Sequence, residues 1–303
     1  MSDIILKTHD LTKDYGRNRG IFNINLEVKK GEVFGFIGTN GSGKTTTIRN
    51  LMGFIQPDKG TTSICGLDSW KNSAEIMESV SYVPGEISFP SLATGTEFLK
   101  SQAEYLGVKD FKYMNHIIEL LQLDPTAKLK RMSKGMKQKT AIVAALMGEK
   151  EILVLDEPTT GLDPLMRDAF IDLIREERDK GHTIFMSSHI FEEIEAVCDR
   201  VAMIRNGYII ETVSLYDLRH PSKKEFKIEF ANGNELQRFL KNTTFHTEKV
   251  ENGICCIDVP IEKLNIFFRE LKVYKVINLQ ETHLSLQKEF MRAYKEGNKN
   301  GNR

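Results

Sequence analysis

Val33-Phe34-Gly35-Phe36-Ile37-Gly38-Thr39-Asn40-Gly41-Ser42-Gly43-Lys44-Thr45 decides the fold, because a short apolar run enters a glycine-rich loop with no break between them. Such a run, bounded by turn residues, reads as a buried strand. Thr46 to Met52 has helix-forming character, so strand, loop and helix follow in order. In that context the spacing from Gly38 through Gly43 to Lys44-Thr45 is a phosphate-binding loop, whose glycines let backbone N–H groups converge on an anion. Lys44 is placed for the β and γ groups and the Thr45 hydroxyl for Mg²⁺. The candidate nucleotide contacts are Gly38, Thr39, Asn40, Gly41, Ser42, Gly43, Lys44, Thr45 and Thr46. An ordinary glycine turn is the alternative, and the flanking strand and helix argue against it.

Further along, Ile152-Leu153-Val154-Leu155 is another apolar strand, and it delivers Asp156 and Glu157 to its C-terminal end. Phosphoryl transfer needs a held metal and an aligned water. Asp156 suits the metal and Glu157 the water. Asp163, in Thr160-Gly161-Leu162-Asp163, fits both a turn beside that site and the N-cap of a helix begun by Pro164. His189 follows Ser187-Ser188 at the end of a third apolar run, within reach of a γ-phosphate from the sheet edge.

The rest of the chain sets bounds. With 303 residues, 40% of them apolar, it is long enough for a large domain and a small one. Forty-two basic residues balance forty-two acidic ones, so no nucleic-acid partner is expected from global charge. Cys65, Cys198, Cys255 and Cys256 have neither zinc nor redox spacing and read as reduced core residues. No window approaches the ~18 apolar residues of a membrane span, and the N-terminus lacks an export pattern. The expected location is cytoplasmic, with any membrane contact made through a partner.

From about 84 to 150 the apolar spacing turns helical, which predicts a helical subdomain inserted into an α/β core. A boundary is expected near His220, with residues 221–296 forming a small α+β domain. There Phe226 to Phe230, a helix around Phe239, Ile254 to Val259, a helix over Ile261 to Leu271, and a strand over Val273 to Leu279 suggest a βαββαβ, ferredoxin-like order. Residues 297–303 are expected to be a disordered tail.

Taken in order, the segments over about residues 4–220 resemble the ATP-binding subunit of an ABC transporter. The decisive one is Met132-Ser133-Lys134-Gly135-Met136, which lies ahead of the acidic strand and resembles that family's signature. Met132, Lys134 and Met136 replace the usual Leu, Gly and Gln, as in the branch serving drug, bacitracin, sodium and polysaccharide exporters. The resemblance implies a P-loop NTPase with a RecA-like core, an antiparallel β part and the inserted helical subdomain. It implies Lys44, Glu157 and His189 as catalytic residues, Mg²⁺ on Thr45 and Asp156, and a D-loop at Asp163. Tyr15 would stack on adenine, though an aromatic there could equally be packing. Ser133 and Gly135 would reach the γ-phosphate bound on a second ATP-binding subunit, identical or not, so that two chains pair head to tail on ATP. Hydrolysis would then drive a separate transmembrane permease, placing this chain on the inner face of the membrane. A soluble ABC ATPase acting on a ribosome, chromosome or cluster-assembly factor is the alternative.

One departure stands out. After Tyr82-Val83-Pro84 the family usually has Gln; here Gly85 precedes Glu86. Glu86 would substitute only with a one-residue shift of the loop. The groove for the partner's helix is expected near residues 85–91, with Phe89 as a contact.

Overall fold

A computed structural model describes residues 3–17, 19–251, 253–282 and 285–300, with the side chains of 248, 249, 251 and 294–300 excepted. Strands β1 (Ile4–Asp14) and β2 (Gly20–Lys29) open the chain, and β3 (Val33–Ile37) leads through the glycine loop into helix α1 (Lys44–Leu51). Strands β4 (Lys59–Ile64) and β5 (Leu67–Asp68), helix α2 (Ser73–Ser79) and strand β6 (Val80–Val83) follow. Helices α3 (Gly95–Leu106), α4 (Lys112–Leu120) and α5 (Lys134–Leu146) then precede β7 (Ile152–Asp156), α6 (Pro164–Asp179), β8 (Thr183–Ser188), α7 (Phe191–Val197), β9 (Arg200–Arg205) and β10 (Tyr208–Ser214).

Two sheets result. The larger has the order β10-β9-β3-β8-β7-β6, parallel from β9 through β6. Every residue of β3, β7 and β8 is buried, as expected of central parallel strands covered on both faces. Phe34 and Phe36 of β3 pack on Phe185 of β8. Since these strands run the same way, the glycine loop, the Asp156-Glu157 pair and Ser188-His189 all emerge at one sheet edge, where open α/β sheets bind ligands. Asn206 and Gly207, at φ 48° and 82°, make the tight turn that reverses the chain into antiparallel β10. The smaller sheet, β2-β1-β4-β5, is the antiparallel part.

The three helices between β6 and β7 are the inserted subdomain. Thr94 caps α3 by accepting from Glu97 N, while the Glu97 carboxylate accepts from Ala93 N at 2.9 Å. Gly107, at φ 69°, ends the same helix. A buried polar cluster ties α4 to α6. The Glu177 side chain is fully buried and accepts from Tyr113 Oη, from Lys180 Nζ at 2.9 Å, and pairs with His182 Nδ1 at 2.7 Å. Lys180 Nζ also lies 3.4 Å from the centre of the Tyr113 ring.

The chain divides into two units, each held mainly by its own packing; the first runs to Leu215 and takes in the chain from Arg292, and the second spans Tyr216–Met291. The break therefore comes five residues before His220, because helix α8 (Leu215–Arg219) precedes the Pro-containing link. Within the second unit, β11 (Lys223–Phe230), α9 (Gly233–Asn242), β12 (His246–Glu251), β13 (Ile254–Pro260), α10 (Leu264–Leu271) and β14 (Val276–Thr282) give the βαββαβ order. The sheet is antiparallel, β12-β13-β11-β14, around Phe226, Ile228, Phe230, Phe239 and Phe267. Truncating Phe239 or Phe267 to Ala would cost about 3–5 kcal/mol. Strand β14 begins three residues after Val273, since Tyr274 turns onto Phe230 and Phe239 before the extended run starts. Helix α11 (Leu286–Asn300) corrects the tail: once Leu286 and Phe290 are buried, each further residue adds a helical bond, and the helix passes Gly297. Residues 301–303 lie outside the described residues. Cys198 and Cys255 are buried as expected, but Cys65 is exposed rather than in the core, since it follows β4 in a left-handed turn at φ 51°. Among the described residues no helix is long and apolar enough to cross a membrane.

Candidate active site

The glycine loop wraps the start of α1. Gly41 and Gly43 sit at φ 79° and 115°, and a Cβ on Gly43 would land 2.5 Å from Ile21, so the tight path requires glycine there. Lys44 is folded back into this loop, donating to Gly38 O at 2.8 Å and Thr39 O at 3.2 Å. Its Nζ also lies 3.0 Å from Glu157 Oε1.

The acidic pair splits into two environments. Asp156 is buried; Ser187 Oγ donates to its Oδ1 at 2.7 Å, and Oδ2 has no hydrogen-bond partner of good geometry. Burial raises its carboxyl above the usual range, against the Ser187 and Thr45 hydroxyls. Glu157 has the opposite balance: burial pushes it up, but Lys44, His189 and Thr160 together bring it below the usual carboxylate range. His189 Nδ1 is 3.1 Å from Glu157 Oε2, and Thr160 Oγ1 donates to that same oxygen at 3.2 Å. Glu157 holds φ 47°, a left-handed conformation uncommon for a side-chain-bearing residue and frequent at functional sites. Its N–H donates to Ser187 Oγ at 3.0 Å, so one serine fixes both neighbours.

Lys44, Thr45, Asp156, Glu157 and Thr160 line a cleft of about 1490 Å³ with Asn40, Gly41 and Gly43 of the loop, and His189 reaches it through its contact with Glu157. At its other end stand Tyr15, 51% exposed, and Tyr208, which stacks on Phe22 with ring centres 5.2 Å apart. Thr46 and Glu86 also face the cleft, Glu86 exposed. Gly85 packs directly on the acidic strand: a Cβ there would be 3.1 Å from Asp156 Oδ2. Burial, aided by the Asp156 charge, pushes the nearby Tyr82 hydroxyl up to about 12.

Other expected residues lie elsewhere. Asp163 is the N-cap of α6, its Oδ1 accepting from Met166 N at 3.0 Å. Ser133 caps α5, accepting from Met136 N at 3.2 Å, and is exposed. Gly135 packs against the turn ahead of Asp163, where a Cβ would come within 2.7 Å of Gly161 O. Neither Ser133 nor Gly135 lines the cleft of its own chain, although Lys134 does. Phe89 packs edge-on against Phe98, 4.7 Å between centres, which binds its loop to α3. Arg19, Arg49, Asn206, Tyr208 and Ser187 escape sequence reasoning; only Ser187 carries a local signal, as part of Ser-Ser-His at a strand end.

The geometry fits a hard cation at the loop. An unpartnered buried carboxylate oxygen on Asp156 stands with the Thr45 hydroxyl, the all-oxygen donor chemistry of Mg²⁺, which takes the remainder of its shell from phosphate and water. Among the described residues no three His, Cys, Asp or Glu side chains converge as a metal cage.

Strand, phosphate loop and acidic strand end define a P-loop NTPase. The model of the ABC transporter family matches residues 21–160. The chain is 36% identical over 234 residues to a bacitracin transport ATP-binding protein, BcrA of Bacillus licheniformis, covering 76% of each. It is 33% identical over 219 residues to the linearmycin resistance ATP-binding protein LnrL of Bacillus subtilis, covering 71% of this chain and 70% of that one. A solved ATP-binding subunit of an ABC transporter superposes with TM-score 0.63 at 30% identity, covering 71% of this chain and 92% of that one. A dimeric bacterial ABC transporter cassette, at 21% identity and TM-score 0.61 over 70% of this chain and 99% of its own, shares the fold. The chain belongs to the ATP-binding subunits of ABC transporters, and it is an ATP hydrolase of that type.

Proposed function

We propose that two copies of the ATPase unit close head to tail over two ATP molecules and power a separate membrane permease that exports a drug, peptide antibiotic, ion or polysaccharide. The observation that carries the catalytic reading is Glu157, whose carboxylate is pinned between Lys44 and His189 at the end of a buried strand. A nucleotide γ-phosphate would take Lys44 away from Glu157 and free the carboxylate to orient or deprotonate water, with His189 contacting the phosphate from the sheet edge. Thr45 and Asp156 would hold Mg²⁺, which when bound neutralises charge on the phosphates. Loop backbone groups from Gly38 to Thr46 cradle the anion, and Tyr15 offers its face to the base.

The cleft exceeds the roughly 300–1,000 Å³ of ordinary ligand pockets, leaving space for a second protein surface. Ser133 and Gly135 supply it in trans: neither lines the cleft of its own chain, and both stand at the start of a helix whose dipole favours phosphate. Asp163, held rigidly as a helix cap, lies in the turn that packs on Gly135 and belongs to the same contact. The exporter assignment rests on the bacitracin and linearmycin relatives, and it favours a permease at the inner face of the membrane over a ribosomal or chromosomal partner. Glu86, facing the cleft beside Gly85, is the candidate for the missing glutamine's place.

The test is Glu157→Gln. It should bind ATP and accumulate as an ATP-dependent dimer by size-exclusion light scattering, with turnover reduced about 10²–10⁴-fold. Hydrolysis at the wild-type rate would overturn the role given to Glu157.

A further inference from the structure

A buried carboxylate that none of the proposed catalytic roles uses gathers the segments that carry those roles. Glu193 lies in α7, and its side chain is buried. Its Oε2 accepts from Ser188 Oγ at 2.8 Å and from Thr159 Oγ1 at 2.9 Å. Ser188 ends β8 immediately before His189. With its proton committed to Glu193, Ser188 Oγ presents a lone pair to Ile190 N at 3.0 Å, so the two residues that flank His189 are fastened to one point. Thr159 follows Glu157 by two residues and precedes Thr160, whose own hydroxyl donates to the Glu157 carboxylate. One oxygen of Glu193 thus ties the loop after Glu157 to the strand end before His189, the two groups that meet at 3.1 Å.

The choice of partners at Glu193 is unusual for a buried charge, which is ordinarily met by a cation at hydrogen-bond distance. Here the hydroxyls take the short contacts: Arg167 Nε stands 3.9 Å from Oε1, and Oε1 has no hydrogen-bond partner. A carboxylate oxygen only accepts and can take two donors at once, which suits it to fix two hydroxyls relative to each other. We propose that Glu193 is a positioning residue for hydrolysis, holding the Glu157 and His189 segments in register through Thr159 and Ser188. The proposal rests on the roles given to Glu157 and His189, since Glu193 itself does not line the nucleotide cleft. A displacement of about 1 Å at a catalytic group can cost about 10²-fold in rate, whereas the phosphate loop makes no use of this bridge. Its loss should therefore fall on kcat and spare the affinity for ATP.

Steady-state hydrolysis of Mg-ATP tests this, at a temperature where circular dichroism shows each variant folded. Glu193→Ala should lower kcat about 10–100-fold, and Thr159→Val and Ser188→Ala about 3–10-fold each. KM for ATP should change by less than about twofold in all three. Glu193→Gln, whose amide oxygen can still accept both hydroxyls, should keep kcat within about threefold of wild type. In a Glu157→Gln background, Thr159→Val should lower the residual rate by less than about twofold, because the group it positions is gone; a merely structural defect would carry over in full. If Glu193→Ala does not fold, the two hydroxyl variants decide. Unchanged kcat in Thr159→Val and Ser188→Ala, equal losses in Glu193→Gln and Glu193→Ala, activity lost through KM, or full carry-over in the Glu157→Gln background would overturn the proposal. If Glu157→Gln hydrolyses at the wild-type rate, the reading of Glu157 fails; if it is inactive while the hydroxyl variants are not, only the bridge fails.

Discussion

Glu157 and Glu177 are both carboxylates held by a lysine, a histidine and a hydroxyl, yet their surroundings differ in kind. Glu177 sits within a regular helix, fully buried, with Tyr113, Lys180 and His182 bound to its two oxygens, Lys180 reaching Glu149 only at the longer distance of 3.6 Å. Glu157 sits at a strand end in a left-handed conformation, a fifth exposed, and its lysine is shared with the phosphate loop. Next to it, Asp156 keeps one buried oxygen with no partner. A closed set of partners makes a buried charge structural, whereas borrowed partners and an unsatisfied neighbour mark a site arranged for something else to enter.

Four variants put that contrast to the test. The largest effect belongs to Glu157→Gln: it should fall on turnover and change the stability of the fold only slightly. Glu177→Ala should do the reverse: removing one member of a buried ionic cluster costs about 3–5 kcal/mol, visible as a lowered urea midpoint, while ATP binding by the folded fraction persists. Tyr113→Phe removes a single donor and should cost about 1–3 kcal/mol, with the loss absent in the Glu177→Ala background if the two groups act as a pair.

The smallest effect distinguishes the adjacent carboxylates by sign. The raised carboxyl of Asp156 means that ionising it disfavours the fold, a cost absent below the unfolded value of about 3.9 and present once pH has risen through the folded one. Asp156→Asn should therefore gain on the order of 1 kcal/mol, or roughly 2–4 °C in melting temperature, at pH 7 without nucleotide, and gain nothing in strong acid. The lowered carboxyl of Glu157 contributes stability above its unfolded value that is lost as pH falls through the folded one, so Glu157→Gln should melt slightly below wild type at pH 7. Melting curves at pH 4, 5.5 and 7 would show whether the two variants diverge as pH rises. If both shift the same way, the assigned environments are wrong.

Legibility in the sequence follows locality. The phosphate loop, the acidic strand and the βαββαβ order are written in contiguous runs whose period or spacing is set by backbone geometry, so they can be read directly. Glu177 and Tyr113 stand 64 residues apart, and no local pattern announces their bond. Arg19, Arg49 and Tyr208 reach the cleft only because β2, α1 and β10 converge there. The alternation of its apolar neighbours predicts Val273 in a strand, but aromatic packing at Tyr274 delays the strand. Asp163 can be read two ways because helix cap and active-site turn call for the same residue; the structure establishes the cap.

The contact of Gly85 with the Asp156 carboxylate bears on how such proteins exchange parts. A side chain at 85 would force Asp156 to yield by a few tenths of an ångström, and Asp156 is held from behind by Ser187. A glutamine at 85, which the family resemblance leads one to expect, therefore cannot be introduced by one substitution without disturbing the acidic strand. A graft here should succeed only when the segment from Pro84 to Ser91 moves as one block, since Gly85 at one end rests on Asp156 and Phe89 further along rests on Phe98.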